Sequence, residues 1–139
     1  MIVFGGWDGN ETLSHILKYN VVENKWTVID DAKGSIKGRY RHTAVCTEKA
    51  MYVFGGIDQE QERFNDIYQY QFENNTWTKV ITMGNQPTKR TFHQSILYAG
   101  AYLFVIGGFD GNKRNDMFRI QLAPVSINTS PAKSVNAVQ

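Results

Sequence analysis

Apolar residues in this chain fall in short runs that stop at glycine rather than in stripes of helical spacing. Ala50-Met51-Tyr52-Val53-Phe54 and Ala101-Tyr102-Leu103-Phe104-Val105-Ile106 are continuous apolar, aromatic or β-branched runs. That is the pattern of a strand buried on both faces. Ile67-Tyr68-Gln69-Tyr70-Gln71-Phe72 alternates large and polar, as a half-buried strand does. Glu23-Asn24-Lys25 and Glu73-Asn74-Asn75, each ahead of a tryptophan, carry polar turn chemistry. No stretch holds apolar residues at helical spacing for three turns, so the chain is predicted to be all-β.

The strand pattern repeats. Phe4-Gly5-Gly6, Phe54-Gly55-Gly56 and Ile106-Gly107-Gly108 recur after 50 and then 52 residues. Trp26 and Trp77 are 51 apart, as are His42 and His93, each preceded at three residues by Arg39 or Arg90. Leu17-Lys18-Tyr19, Tyr68-Gln69-Tyr70 and Phe118-Arg119-Ile120 occupy equivalent places, and Asn65-Asp66 is matched by Asn115-Asp116. Several independent landmarks keep one period, which is the signature of a repeat architecture.

A period near 50 residues, a Gly-Gly pair and an aromatic followed seven residues later by tryptophan resemble the kelch repeat. The carriers are Gly5, Gly6, Tyr19 and Trp26, then Gly55, Gly56, Tyr70 and Trp77, then Gly107 and Gly108 alone. The resemblance implies a partial kelch-type β-propeller of about two and a half four-stranded antiparallel blades. In each blade it places the segment after Arg-x-x-His innermost, then the Gly-Gly strand, the Tyr strand and the Trp strand. The expected divisions are a partial first blade over 1–31, a second over 32–83 and a partial third over 84–122. The glycines, tyrosines and tryptophans read as blade-building residues, and Asp66 and Asp116 as acceptors for backbone or arginine donors. Ile120 and the segment after Leu122 depart from the pattern, so the third blade is expected to lack its outer strand. Residues 123–139, with one charge and two prolines, read as a disordered tail.

Composition narrows function by exclusion. Fifteen Lys/Arg against thirteen Asp/Glu give a net charge of +2, with acids interleaved among the bases, so neither nucleic acid nor another polyelectrolyte is expected as partner. With Cys46 alone, no intrachain disulfide is possible. In its strand that thiol is expected to be buried as a small hydrophobe. No basic, apolar leader opens the chain, and the longest apolar run, Ser95 to Phe109, is broken by glycines. No membrane partner is expected, and the location is expected to be cytoplasmic. Three N-glycosylation-type triplets, at Asn10, Asn74 and Asn128, read as coincidental in that setting.

Candidate chemistry is sparse. His42 and His93 hold repeat-equivalent positions and are expected to be hydrogen-bonded within their strands; no metal site and no cofactor are expected, because no ligand set accompanies them. The Gly-Gly segments lack the lysine and the helix of a phosphate loop. They lead instead into Trp7-Asp8-Gly9-Asn10 and Phe109-Asp110-Gly111-Asn112, which read as Asx turns. No catalytic residues are assigned and no enzyme is expected. The alternative is a fragment of a kelch-fold enzyme of the metal-dependent oxidase or specifier type, or a truncated repeat protein without independent function.

There remain the loops. In kelch-like propellers the loops entering the innermost strands and those after Gly-Gly gather on one face. They carry Trp7, Asp8, Arg39, Arg41, Asp58, Arg63, Arg90, Asp110, Lys113 and Arg114, the candidate binding residues, for a protein or peptide ligand. A solvated rim, with Trp7 packed between blades, is the competing reading. The sequence Gly84-x-x-Pro87-x-x-Arg90-x-x-His93, with Phe109-Asp110-Gly111-Asn112 and Asn115-Asp116-Met117, resembles the leucine-zipper-like regulator branch. That branch carries BTB domains and serves cullin ubiquitin ligases as substrate adaptors. No BTB-like segment lies in these 139 residues, so the substrate-recognition part alone is expected. Closed propellers have about four to eight blades. The length therefore predicts an incomplete ring, finished by further chain or by self-association.

Overall fold

Strand boundaries fall where turn chemistry interrupts the apolar runs. The computed structural model describes residues 1–29, 32, 35–82 and 84–122. Its first sheet comprises β1 (Ile2–Trp7), β2 (Thr12–Asn20) and β3 (Lys25–Ile29). The second comprises β4 (Thr43–Cys46), β5 (Ala50–Phe54), β6 (Ile67–Gln71) and β7 (Thr76–Lys79), and the third β8 (Gln94–Tyr98), β9 (Tyr102–Phe109) and β10 (Lys113–Gln121). Strands pair antiparallel and in chain order within each sheet, so the second runs β4-β5-β6-β7. Together the sheets form part of an all-β propeller. The divisions expected at 31–32 and 83–84 adjoin positions outside the described residues, and the expected tail and missing outer strand lie outside them as well.

The seven-residue gap between tyrosine and tryptophan has a geometric cause. Tyr19 lies directly across from Trp26, and Tyr70 from Trp77, on the two arms of a hairpin. Their rings are 4.9 and 5.0 Å apart, within the range of favourable aromatic pairing. Asn24 and Asn75 sit at the turns with φ of 51° and 52°, the left-handed conformation that asparagine tolerates. The Tyr70 hydroxyl donates to Asn75 Oδ1 at 2.7 Å, and Tyr19 does the same to Asn24 at 2.5 Å. Each tyrosine thus ties down the turn that precedes its tryptophan, Tyr70 with its ring buried and Tyr19 with its ring half-buried.

Two apolar layers hold the sheets together. Phe4 and Ile16 of the first sheet meet Met51, Val53, Tyr70 and Trp77 of the second. On the other side of β5, Ala50, Tyr52 and Phe54 meet Leu103, Val105 and Ile120 of the third. Every residue of β5 is buried, as a strand with a sheet on each side requires. Among the described residues the flanking sheets have cover on one side only. Trp26 is 49% exposed where its counterpart Trp77 is 7%, and Met117 is 65% exposed where Ile67 is 4%.

Candidate functional site

The joint between sheets explains why Gly-Gly and Arg-x-x-His travel together. Arg39 donates from Nη1 to Asp66 Oδ1 at 2.6 Å and to the Gly55 carbonyl at 3.0 Å, and from Nε to the Lys37 carbonyl at 3.2 Å. Arg90 repeats the arrangement with Asp116 Oδ1 at 2.6 Å, Gly107 at 2.8 Å and Thr88 at 3.2 Å. Their side chains are 1% and 0% exposed. Beside Arg90, the Asp116 carboxyl is held below its ordinary pKa. The structure therefore removes Arg39 and Arg90 from the set of candidate binding residues. A guanidinium with a carboxylate and carbonyls around it is stable inside the protein, and these two organise the loops.

From that anchored loop the next contacts reach back to the preceding sheet. The Gly6 amide donates to the Arg39 carbonyl at 2.9 Å and the Gly56 amide to the Arg90 carbonyl at 3.0 Å. Gly55 has φ of +66°, and a Cβ there would stand 2.9 Å from the Arg90 oxygen and 2.8 Å from His93 Cε1. Only glycine fits so close to a neighbouring backbone.

His93 corrects another expectation. Its Nε2 lies 2.9 Å from Thr43 Oγ1 and 3.2 Å from the Phe54 carbonyl, both on the second sheet, so it bonds across the joint rather than within its strand. Thr43 Oγ1 continues to Ser95 Oγ at 2.6 Å. Burial pushes the pKa of His93 down to about 4, assisted by Arg90; burial and Arg39 do the same to His42, also to about 4. Cys46 is exposed rather than buried. It sits on the open side of β4, where residues alternate between half-buried and exposed.

Most remaining charges on the loop face are already paired. Lys37 bridges Asp58 and Glu60, both at 2.5 Å, and Lys89 meets Glu62 at 3.1 Å. Burial raises the Asp58 pKa, but the Lys37 ammonium and the Glu62 amide outweigh it and the net shift is downward. Arg114 pairs with Asp110 at 2.7 Å, and that carboxylate also accepts from Thr88 Oγ1 at 2.6 Å. Asp8 Oδ1 accepts from the Asn10 and Glu11 amides at 2.8 and 2.9 Å, and Asp110 Oδ1 from Asn112 at 3.1 Å. These are the Asx turns foreseen after Gly-Gly. Among the described residues Arg41, Arg63 and Lys113 have no ion pair. No group of three or more His, Cys, Asp or Glu there could hold a metal ion.

What the loops do bring together is a stripe of alternating rings and guanidiniums. Trp7, 46% exposed, lies 5.6 Å from Tyr40. The Arg41 guanidinium is 4.9 Å from the Tyr40 ring and 4.5 Å from Phe92. Phe92, Gly108, Phe109, Lys113 and Arg114 line a groove of about 510 Å³, and Arg63 lies 5.1 Å from the Phe109 ring. Arg41 and Phe92 occupy the same slot, immediately before the histidine, with φ of 58° and 57°. That left-handed backbone is unfavourable for large side chains and turns both outward. Tyr40, Phe92 and Phe109 are not among the residues expected to bind, Phe109 being placed only in the turn after Gly-Gly. The usable signal was the slot itself, which holds two large and chemically unlike side chains.

Known proteins resemble this chain along most of its length. Residues 1–133 match the family model described as the KLHDC2/KLHL20/DRC7 Kelch-repeats domain. The leucine-zipper-like transcriptional regulator 1 homolog of Drosophila melanogaster is 30% identical over 129 residues, covering 88% of this chain and 13% of that protein. Human kelch domain-containing protein 3 is 32% identical over 111 residues, covering 78% of this chain and 28% of its own length. The bovine Rab9 effector protein with kelch motifs is 32% identical over 111 residues, with 78% and 29% covered. The chain thus spans less than a third of each of these relatives. Their shared repeat, the three sheets and the interlocked Gly-Gly and Arg-x-x-His joints lead to one assignment: the chain belongs to the kelch-repeat family.

Proposed function

We propose that this chain is a protein-interaction module whose loop face holds a protein or peptide ligand. The observation that carries this reading is the stripe from Trp7 through Tyr40, Arg41 and Phe92 to Phe109 and Arg63, in which Trp7, Arg41 and Phe92 are exposed and the others half-buried. Aromatic and arginine side chains dominate interaction hot spots, and here they are gathered by loops fixed on a rigid scaffold. One relative is named as an effector of Rab9, which is an interaction role for that protein. The substrate-recognition part of a ubiquitin-ligase adaptor or scaffold belongs under the same reading. A cytoplasmic location goes with it: the exposed, unpaired Cys46 suits a reducing compartment. No helix of the described residues is long and apolar enough to cross a membrane.

Self-association is the second element of the proposal. The outward face of the first sheet presents Trp26 and Val28, and that of the third presents Ile96, Ile106 and Met117. By repeat equivalence these are the two halves of the interface that is buried between sheets inside the chain. A head-to-tail contact between copies would bury both.

The loop face is tested by selection from a random displayed-peptide library against the full chain. Enriched peptides are expected to lose binding to Phe92→Ser and Arg41→Glu, with the circular dichroism spectrum unchanged. Arg39 and Arg90 are unsuitable for this test because reversing a buried charge would unfold the joint. Peptides that bind both variants as well as the parent would place the interaction elsewhere.

A further inference from the structure

Away from the loop face, the inner edge of the first sheet is an open strand edge. In the second sheet β5 is paired with β4 inward and β6 outward, whereas β1 has β2 alone among the described residues. Met1 exchanges both backbone bonds with Tyr19. Bonding alternates along an antiparallel ladder, so Val3 turns its N–H and C=O to β2, and Ile2 and Phe4 turn theirs to the open edge. By repeat, Ile2 and Phe4 correspond to Tyr52 and Phe54 of β5, whose partners across the ladder are Val45 and Thr43.

The second sheet supplies one wall of this slot. Ala44 and Cys46 correspond by repeat to Ser95 and Leu97. Ser95 and Leu97 are half-buried beside β4, but Ala44 and Cys46 are exposed. Thr43 offers its hydroxyl to the third sheet, 2.9 Å from His93 Nε2 and 2.6 Å from Ser95 Oγ, and Val45 packs against the second apolar layer. The corresponding His42 meets no hydroxyl among the described residues, and the first apolar layer has no inner-strand member there.

We infer that this slot takes an extended partner segment of the form Ser/Thr-x-Val/Ile, added antiparallel to β1. Its hydroxyl residue lies across from Phe4 and its aliphatic residue across from Ile2. In such strand addition the main-chain bonds hold the segment and alternate side chains select it. The hydroxyl stands to Ala44 and His42 as Thr43 does to Ser95 and His93. The aliphatic side chain covers Cys46 and continues the apolar interface already formed between the first and second sheets. A second copy pairing through its own β1 would set the Phe4 ring where the repeat holds Val45 and would bring no hydroxyl to His42. The slot uses none of the loop-face residues, so it goes beyond the loop-face reading and is tested separately from it.

Cys46, the single cysteine, reports occupancy. The full 139-residue chain is treated with a chromogenic thiol reagent, alone and with a peptide copying residues 43–47, with serine for cysteine and a lysine at each end. At a peptide concentration about ten times its Kd, labelling is expected to slow roughly tenfold. A counterpart with valine for the first threonine should bind about two- to tenfold more weakly. One N-methylated at that threonine and at the valine, the two amides that face β1, should give no protection. Ala44→Lys, which fills the slot, should lose the peptide, and Phe92→Ser, on the loop face, should bind it as the parent does. Near-ultraviolet circular dichroism identifies a variant that has lost its fold, and the N-methylated peptide makes the test without altering the protein. No protection by the first peptide, protection that survives N-methylation, or equal binding of the valine counterpart overturns the assignment. Loss with Phe92→Ser overturns it in favour of the loop face. Slower labelling of the chain alone as its concentration rises overturns it in favour of a second copy.

Discussion

Two arginines two residues apart, Arg39 and Arg41, have opposite fates, and backbone conformation separates them. Arg39 points inward to Asp66 and the Gly55 carbonyl, whereas Arg41, in the left-handed region, turns out onto Phe92. In sequence both are cations on a polar segment. The partner carboxylate of Arg39 is 27 residues away and meets it only once β6 pairs with β5. Histidine carries the residue-scale prediction. His42 and His93 titrate near 4 in the fold, below the 6.5 of an ordinary imidazole. Between pH 6.5 and 4 the unfolded chain takes up protons that the folded chain refuses, so stability should fall as pH drops through that window and stay level above it. The expected loss is about 1–3 kcal/mol for each histidine. Urea unfolding at pH 7.5 and 4.5 reads it, and His93→Gln should flatten the slope. A slope unchanged by that substitution would assign the effect to other groups.

At the scale of elements, the repeat turns into a set of interlocking joints. Gly5-Gly6 and Gly55-Gly56 each accept the Arg-x-x-His loop of the sheet that follows, so the two motifs recur together because each shapes the other's contact. This gives an internal control. Gly55 and Gly107 have similar φ, +66° and +60°, but Gly55 faces the Arg90 carbonyl and His93, and Gly107 only the Arg114 carbonyl at 3.1 Å. Gly55→Ala is expected to cost roughly 3 kcal/mol or more, combining backbone strain with displacement of the loop. Gly107→Ala should cost about 1 kcal/mol, from the backbone alone. Equal losses in urea unfolding would mean that the joint contributes no more than the conformation of the glycine. Strand positions were legible in sequence because each apolar run ends at a turn residue. The exposure of Cys46 was not, since the strand pattern does not reveal which side of β4 lacks a covering sheet.

Across the whole molecule, the central sheet is complete and its two neighbours are each half-covered. The faces that hold Trp26 on one side and Met117 on the other are apolar surface of the kind that marks an interaction. With self-association as proposed, light scattering should show a mass that rises with concentration above that of one chain. Trp26→Ser should return it to a monomer. A monomer at every concentration would discard the head-to-tail contact and leave the loop-face reading untouched.

By itself the sequence determined the strands, the fifty-residue period, the all-β class and the turn residues. All of these depend on local chemistry: alternation, β-branching, asparagine and glycine at turns. The repeat also carried the family. Only the tertiary structure decided which charges are available. Arg39 and Arg90 are neutralised by carboxylates more than twenty residues away, while Arg41, Arg63 and Lys113 have no ion pair among the described residues. Likewise Phe92 and Phe109, which lie 17 residues apart, become one groove only when the loop before β8 lies beside the end of β9. Burial and charge pairing belong to contacts between distant segments, and no local pattern encodes them.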